Sequence, residues 1–290
     1  MEHCDILIIG AGAAGLAAAK AAWDAGCTDI LLVDRKPSLG GILLQCRHRG
    51  FGNNLDGPEY IEKLTANFPE EIRCLPDTTV VSLSENREAL LKSPRFGEKC
   101  VSFDQLILAS GCLEIPMGTL PIAGTRPKGI YTAGQMQEMM NLHGFLPEGP
   151  VVILGSGDLG LIMAKHLFDA DIPVAGLVEQ KAECGGMARN RQFLPQSRIP
   201  VICNNTISQV LGSPKLEGVI LSDGRSIPCK TLLIAAGLKP DKTLVHGLKN
   251  REWVHLCGNC SKIYPMVEGV IQDGRQAALR AVSALGKLRK

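Results

Sequence analysis

The sequence predicts an α/β protein built on two open parallel sheets, and three observations carry that prediction. A β-branched apolar run enters a glycine-rich turn and then an alanine-rich stretch; the pattern returns 145 residues later; each copy is closed by another apolar run ending in glycine.

In the first copy Asp5-Ile6-Leu7-Ile8-Ile9 reads as a strand, Gly10-Ala11-Gly12-Ala13-Ala14-Gly15 as a turn and residues 16–23 as a helix. Gly10 permits the tight turn, Gly12 lets the backbone approach a pyrophosphate, and Gly15 lets helix pack on strand. The helix N-terminus adds free N–H groups and the positive end of its dipole. A second run, residues 30–33, ends at Asp34, nineteen positions after Gly15, where a carboxylate accepts the hydroxyls of an adenosine ribose.

The second copy repeats each part. Residues 151–154 lead into Gly155-Ser156-Gly157-Asp158-Leu159-Gly160, a helical stretch follows over 161–169, and the strand 174–178 ends at Glu179. Gly10, Gly12, Gly15, Asp34, Gly40 and Gly41 coincide at one offset with Gly155, Gly157, Gly160, Glu179, Gly185 and Gly186. A lone glycine motif is weak; six coincident positions point to two Rossmann-like units and two dinucleotide sites. The closing runs, residues 106–111 with Ser110 and Gly111 and residues 232–237 with Gly237, read as central strands whose small residues let a cofactor lie on the turn.

Proline-punctuated connections at Pro116, Pro121 and Pro127, with a return at Pro240, mark the second unit as an insertion in the first. Residues 1–113 and 241–290 are expected to form one domain and residues 114–240 the other. Segments 79–83 and 100–103 are expected to pair as a small antiparallel sheet of the first domain, with 203–210 and 219–221 as its counterpart in the second. The tail reads as a strand over 253–256, a turn over 257–260 and a helix from about 267 to 285.

Composition narrows the function classes. The net charge is +2 and the aromatic residues number only twelve, which leaves neither a basic footprint nor stacking platforms for nucleic acid. The apolar stretch 6–19 is too short and glycine-rich to span a bilayer, so no transmembrane segment is expected. The start Met1-Glu2-His3-Cys4-Asp5 lacks the basic region of a signal peptide, and an odd count of eleven cysteines is scattered over the chain; the expected compartment is reducing, cytoplasmic.

At this point the residues resemble the two-dinucleotide-binding flavoproteins that include glutathione and thioredoxin reductases, here without a dimerisation domain. The run Gly40-Gly41-Ile42-Leu43-Leu44-Gln45-Cys46-Arg47-His48-Arg49-Gly50-Phe51-Gly52, then Arg126-Pro127 and Thr132-Ala133-Gly134, is similar to the flavoprotein subunits of opine oxidase, hydrogen cyanide synthase and hydroxyproline dehydrogenase and to the flavoprotein found with anaerobic glycerol-3-phosphate dehydrogenase. The resemblance implies FAD on the first domain and a nicotinamide nucleotide on the second, with other subunits of a dehydrogenase complex as partners. Carried over by position, the FAD residues are Gly10, Gly12, Ala13, Ala14, Gly15, Asp34, Arg35, Gly40, Gly41, Ile42, Val80, Val81, Ser110, Gly111, Gly258, Asn259 and Val267. Asn259 stands where the reductases usually have Asp. The nucleotide residues of the second domain are Gly155, Gly157, Asp158, Leu159, Gly160, Glu179 and Gly237.

Glu179 repels a 2′-phosphate, so NAD(H) is preferred to NADP, with Lys181 arguing weakly the other way. Hydride transfer between the nicotinamide and the flavin needs alignment more than an acid or a base. The cysteine pairs of the disulfide reductases are missing from their usual places. Cys257-Gly258-Asn259-Cys260 is the only Cys-x-x-Cys; it reads either as a redox pair, which makes the chain a thiol-disulfide reductase, or as a buried turn with two incidental thiols. Cys46 lies in the segment expected along the flavin and lacks a resolving partner, and no metal-ligand spacing is present. A protein that binds nucleotides without turnover, as part of a larger assembly, is a further alternative.

Overall fold

A computed structural model describes residues 1–288, with side chains through residue 286. In chain order the elements begin with β1 (Glu2–Ile9), α1 (Ala13–Asp24), β2 (Ile30–Val33), α2 (Gly57–Thr65), β3 (Arg73–Leu75), β4 (Thr79–Leu83), β5 (Glu88–Ser93), β6 (Gly97–Leu108) and β7 (Cys112–Glu114). They continue with β8 (Ala123–Gly124), β9 (Ile130–Thr132), α3 (Ala133–His143), β10 (Val151–Leu154), α4 (Asp158–Asp169), β11 (Val174–Val178), α5 (Ala188–Arg191) and α6 (Leu194–Ser197). The remainder is β12 (Val201–Ile202), β13 (Ile207–Leu211), β14 (Gly218–Leu221), β15 (Ser226–Pro228), β16 (Thr231–Ile234), β17 (Leu238–Pro240), β18 (Val254–Leu256) and α7 (Val267–Leu288).

The chain divides into two compact units. Residues 1–113 with 239–290 form one, and residues 114–238 form the other.

The first unit is a seven-stranded sheet in the order β3-β2-β1-β6-β5-β4, with β18 also on β6. Strands β1, β2, β3, β6 and β18 are parallel, and β5 and β4 continue the sheet antiparallel. The central strands are apolar on both faces because both faces are covered. Ile6, Ile8, Ile30, Leu32 and Ile107 pack toward the alanines of α1 and α7; Leu7, Ile9, Leu31, Val33, Leu106 and Leu108 pack with Leu91, Phe103 and Trp253 on the other side. This alternation is the period-two signature of a strand.

The second unit has a five-stranded parallel sheet, β12-β11-β10-β16-β9, and a smaller sheet in which β13, β14 and β15 are antiparallel and β8 joins β13 in parallel. Val151, Ile153 and Leu233 face α3 and α4, whereas Val152, Leu154, Leu232 and Ile234 face the smaller sheet. In each large sheet the strand that enters the glycine turn, β1 or β10, thus lies directly beside the closing apolar strand, β6 or β16.

Two expectations are corrected. Segments 100–103 and 106–108 are one strand, β6, and β4 pairs with β5 instead of with 100–103, so the antiparallel strands extend the main sheet. The sequence suggested a break because Asp104 and Gln105 interrupt the apolar run. Gln105 is nonetheless buried, its amide 2.9 Å from the His255 ring on β18, which satisfies the polar atom inside the sheet. In the second unit the strand before β14 starts at Ile207, since Asn204 and Asn205 bond back to Lys181 and Glu179.

Candidate functional site: two glycine cradles

At the carboxyl ends of β1 and β10 the chain makes the same turn twice. Gly10 and Gly155 have φ of +101° and +106°, a region open to glycine, and a side chain on either would collide with a carbonyl, of Ala109 or of Ala235. Side chains on Gly15 and Gly160 would strike the Gly10 and Gly155 carbonyls. These four glycines are demanded by the protein's own packing.

Gly12 and Gly157 are different. Both have extended backbone, φ −75° and −64°, that any residue adopts. A Cβ on Gly12 would come no nearer than 3.9 Å to another atom, the Gly41 Cα, and one on Gly157 would have nothing within 4 Å. Neither conformation nor internal packing accounts for glycine there; open space beside the helix start does.

The helices leaving these turns are likewise unfinished. Helices α2 and α3 begin with side-chain caps, from Asp56 in a reciprocal pair with Glu59 and from Thr132 together with Glu114. Helices α1 and α4 begin at Gly12 and Gly157 with no side-chain cap. Uncapped N–H groups at a helix start suit an anion. The residues present fit a dinucleotide pyrophosphate at both cradles.

The acidic residues close each cradle. Asp34 accepts from Ala11 N–H at 2.6 Å and Lys36 N–H at 2.8 Å. Glu179 accepts from Ser156 N–H at 2.9 Å, Ser156 Oγ at 2.5 Å and Lys181 N–H at 2.9 Å. Burial alone would raise the Glu179 carboxyl, but the Ser156 hydroxyl and the two N–H donors outweigh it and hold the group below the usual range, ionised at neutral pH.

Around the first cradle several sequence-predicted residues converge. Gly12 and Gly40 form a bridge and Gly40 N–H donates to the Ala11 carbonyl at 2.8 Å, with Gly41 beside Gly12 and Ile42 exposed just after it. Ala13 and Ala14 open α1, and Gly258 packs so closely that a Cβ on it would lie 2.7 Å from that of Ala14. Ser110 and Gly111 follow β6, Ser110 Oγ donating to the Asp241 carbonyl at 2.7 Å. Val267 opens α7. Arg35 is exposed, and Val80 and Val81 stand on edge strand β4, whose preceding residue Thr78 donates to the Asp34 carbonyl at 2.9 Å. Asn259 turns its Oδ1 inward to Tyr264 N–H at 3.0 Å.

At the second cradle Asp158 and Leu159 begin α4, Asp158 accepting from Met187 N–H and Asn190 Nδ2 at 2.7 Å each, and Gly237 follows β16. Residues missed by the motif reading include Asp273, which accepts from Gly258 N–H at 2.9 Å, and Gly274, where a side chain would strike the Ala14 carbonyl. A glycine inside an alanine-rich helix was the available signal for that close approach.

The three candidate thiols, Cys46, Cys257 and Cys260, are not placed for exchange with a disulfide. Cys46 is buried, donates to the Ile42 carbonyl at 3.3 Å and is pushed up to about 12 by burial. Cys257 and Cys260 are fully buried, Cys260 donating to the Leu108 carbonyl at 2.9 Å, and burial raises both, Cys257 well above the usual thiol range. A reactive thiol needs the opposite setting, exposed and with its thiolate stabilised.

Two nucleotide-type cradles on one chain, each with its acid, define a pyridine nucleotide oxidoreductase architecture. The family profile of the pyridine nucleotide-disulphide oxidoreductases matches residues 4–255, and the chain belongs to that family of oxidoreductases, whose members bind FAD and pyridine nucleotides. Among curated relatives, one component of the opine oxidase of Rhizobium meliloti is 26% identical over 98% of this chain and 64% of its own length. The HcnB component of the hydrogen cyanide synthase of Pseudomonas protegens is 30% identical over 75% of this chain and 46% of its own. The chain thus spans roughly half to two thirds of the curated relatives it matches. The thioredoxin reductase of T. acidophilum shares the fold at a TM-score of 0.76 and 21% identity, covering 98% of this chain and 99% of that one. No helix among the described residues is long and apolar enough to cross a membrane.

Proposed function

We propose that this chain is an FAD-dependent oxidoreductase that passes hydride between NAD(H) and FAD and serves as the electron-transfer subunit of a larger dehydrogenase or oxidase. The observation that carries the reading is the pair of middle glycines, Gly12 and Gly157, which the chain's own packing does not require and which a bound pyrophosphate does.

In this reading the unit of residues 1–113 and 239–290 holds FAD and that of residues 114–238 holds NAD(H). Gly12 with the start of α1 receives the FAD pyrophosphate, Asp34 its adenosine ribose, and Gly41, Ile42, Gly111 and Gly258 border the rest. Gly157 with the start of α4 receives the second pyrophosphate. Glu179, ionised and left with one acceptor site by its three donors, takes a ribose hydroxyl and repels a 2′-phosphate, which favours NAD(H) over NADP(H). When bound, the flavin supplies a two-electron acceptor ring; the protein's part is to orient it and exclude water.

The names of the curated relatives, subunits of opine oxidase and hydrogen cyanide synthase, support assembly with other subunits. The buried, protonated thiols disfavour the thiol-disulfide reductase reading. Anaerobic addition of NADH to the purified protein tests the proposal: the flavin colour bleaches, and bleaches equally in a Cys257→Ala, Cys260→Ala variant. Protein that carries no flavin, or flavin that NADH leaves oxidised, refutes hydride transfer; loss of bleaching in the double variant restores the thiol reading.

A further inference from the structure

The duplication supplies an internal control for the second cradle. Asp34 and Glu179 each accept one N–H from the residue after the first glycine, Ala11 or Ser156, and one from the residue two positions on, Lys36 or Lys181. One interaction has no counterpart. Ser156 Oγ lies 2.5 Å from Glu179 Oε2, and where Ser156 stands the first cradle has Ala11, which has no hydroxyl.

That hydroxyl is committed on both sides. It donates to Glu179 and accepts from Gly185 N–H at 2.7 Å, and Ser156 is fully buried. The corresponding glycine turn of the first cradle is tied by backbone alone, Gly40 N–H to the Ala11 carbonyl. Gly185 is also tight against Ser156: a Cβ on it would lie 3.1 Å from the Ser156 carbonyl oxygen.

The difference in acid explains why a third anchor is useful. Glutamate has one more side-chain torsion than aspartate, so fixing its carboxylate costs more rotamer freedom. The Ser156 hydroxyl restrains that extra torsion and binds the carboxylate to the Gly185-Gly186 turn as one unit.

We propose that Ser156 is a positioning residue that sets the preference of the second cradle for a dinucleotide with a free ribose 2′-hydroxyl over one carrying a 2′-phosphate. It acts through Glu179 and touches no nucleotide itself. The inference rests on the reading of the second cradle as the NAD(H) site. A carboxylate pinned at three points faces the ribose in one orientation; released from the hydroxyl, it swings aside and tolerates the phosphate.

The test is equilibrium binding of NADH and of NADPH to the full-length protein by calorimetry, for the wild type, Ser156→Ala, Glu179→Gln and the double variant. Ser156→Ala is expected to lower the NADH-over-NADPH affinity ratio by about tenfold, the scale of one hydrogen bond to a charged group. The double variant is expected to match Glu179→Gln, because the hydroxyl has no second route to the ribose. Flavin content stays at the wild-type level in all four. A Ser156→Ala ratio equal to wild type, an equal loss of affinity for both nucleotides, or additive effects in the double variant overturns the proposal while leaving the NAD(H) site standing. A ratio that Glu179→Gln leaves unchanged, or a wild type that binds neither nucleotide, overturns the reading of the site itself.

Discussion

At the scale of single residues, glycines that look identical in the sequence do different work. Gly160 is held by packing, because a side chain there meets the Gly155 carbonyl, whereas Gly157 has open space and an ordinary backbone. Gly160→Ala is therefore expected to destabilise the nucleotide-free protein by roughly 1–3 kcal/mol, the usual cost of overpacking. Gly157→Ala is expected to leave stability unchanged or to raise it by about 0.4–1 kcal/mol through the unfolded chain. Thermal or urea unfolding of the two variants separates them; a Gly157→Ala loss as large as that of Gly160→Ala would show that both glycines are structural. The motif spacing made all six cradle glycines and both acids legible. It could not rank them, since only the three-dimensional surroundings of each glycine tell close packing from open space. Ser156 was visible as a letter inside the motif, yet its bond to Glu179 depends on two segments 23 residues apart meeting.

At the scale of elements, the parallel core was legible because buried strands read as continuous apolar runs. Strand β6 was the exception, its Asp104-Gln105 interruption hiding a twelve-residue strand. What sustains the interruption is β18, which returns after the inserted unit and sets His255 opposite Ile107 with its ring on Gln105. Burial, reinforced by Arg280, lowers His255 to about 4 from the ordinary 6.5. The folded protein therefore keeps this ring neutral while the unfolded chain takes up a proton below 6.5, so stability is full above that pH. It falls progressively as the pH drops to about 4. Replacing His255 by Gln is expected to flatten the fall in unfolding free energy between pH 6.5 and 4, measured by urea titration at each pH. An unaltered slope would assign the acid sensitivity to other groups. Helix α7 was expected in outline, but its Gly274 contact with the Ala14 carbonyl arises only when the tail packs on α1, and no local pattern encodes that partner.

At the scale of the whole molecule, the repeat at a fixed offset explains both units at once: the same strand, turn, helix and acid recur, and both helices that leave the turns are left without side-chain caps. The fold followed from that repeat and from apolar periodicity. The proposed chemistry followed less directly, because hydride transfer between two bound rings would leave no acid–base signature in the side chains. Two substitutions separate the cradles chemically: Asp34 with Ala11 in one against Glu179 with Ser156 in the other, and Ala13 against Asp158 at the helix start. The proposed function requires two cradles holding two different dinucleotides. The most direct measurement is the nucleotide occupancy of the wild type, Gly12→Val and Gly157→Val, with FAD counted by release and NADH by equilibrium binding. One FAD and one NADH site per chain are expected, with Gly12→Val losing only FAD and Gly157→Val losing only NADH. A single dinucleotide per chain, or the same nucleotide lost in both variants, would contradict the proposed function.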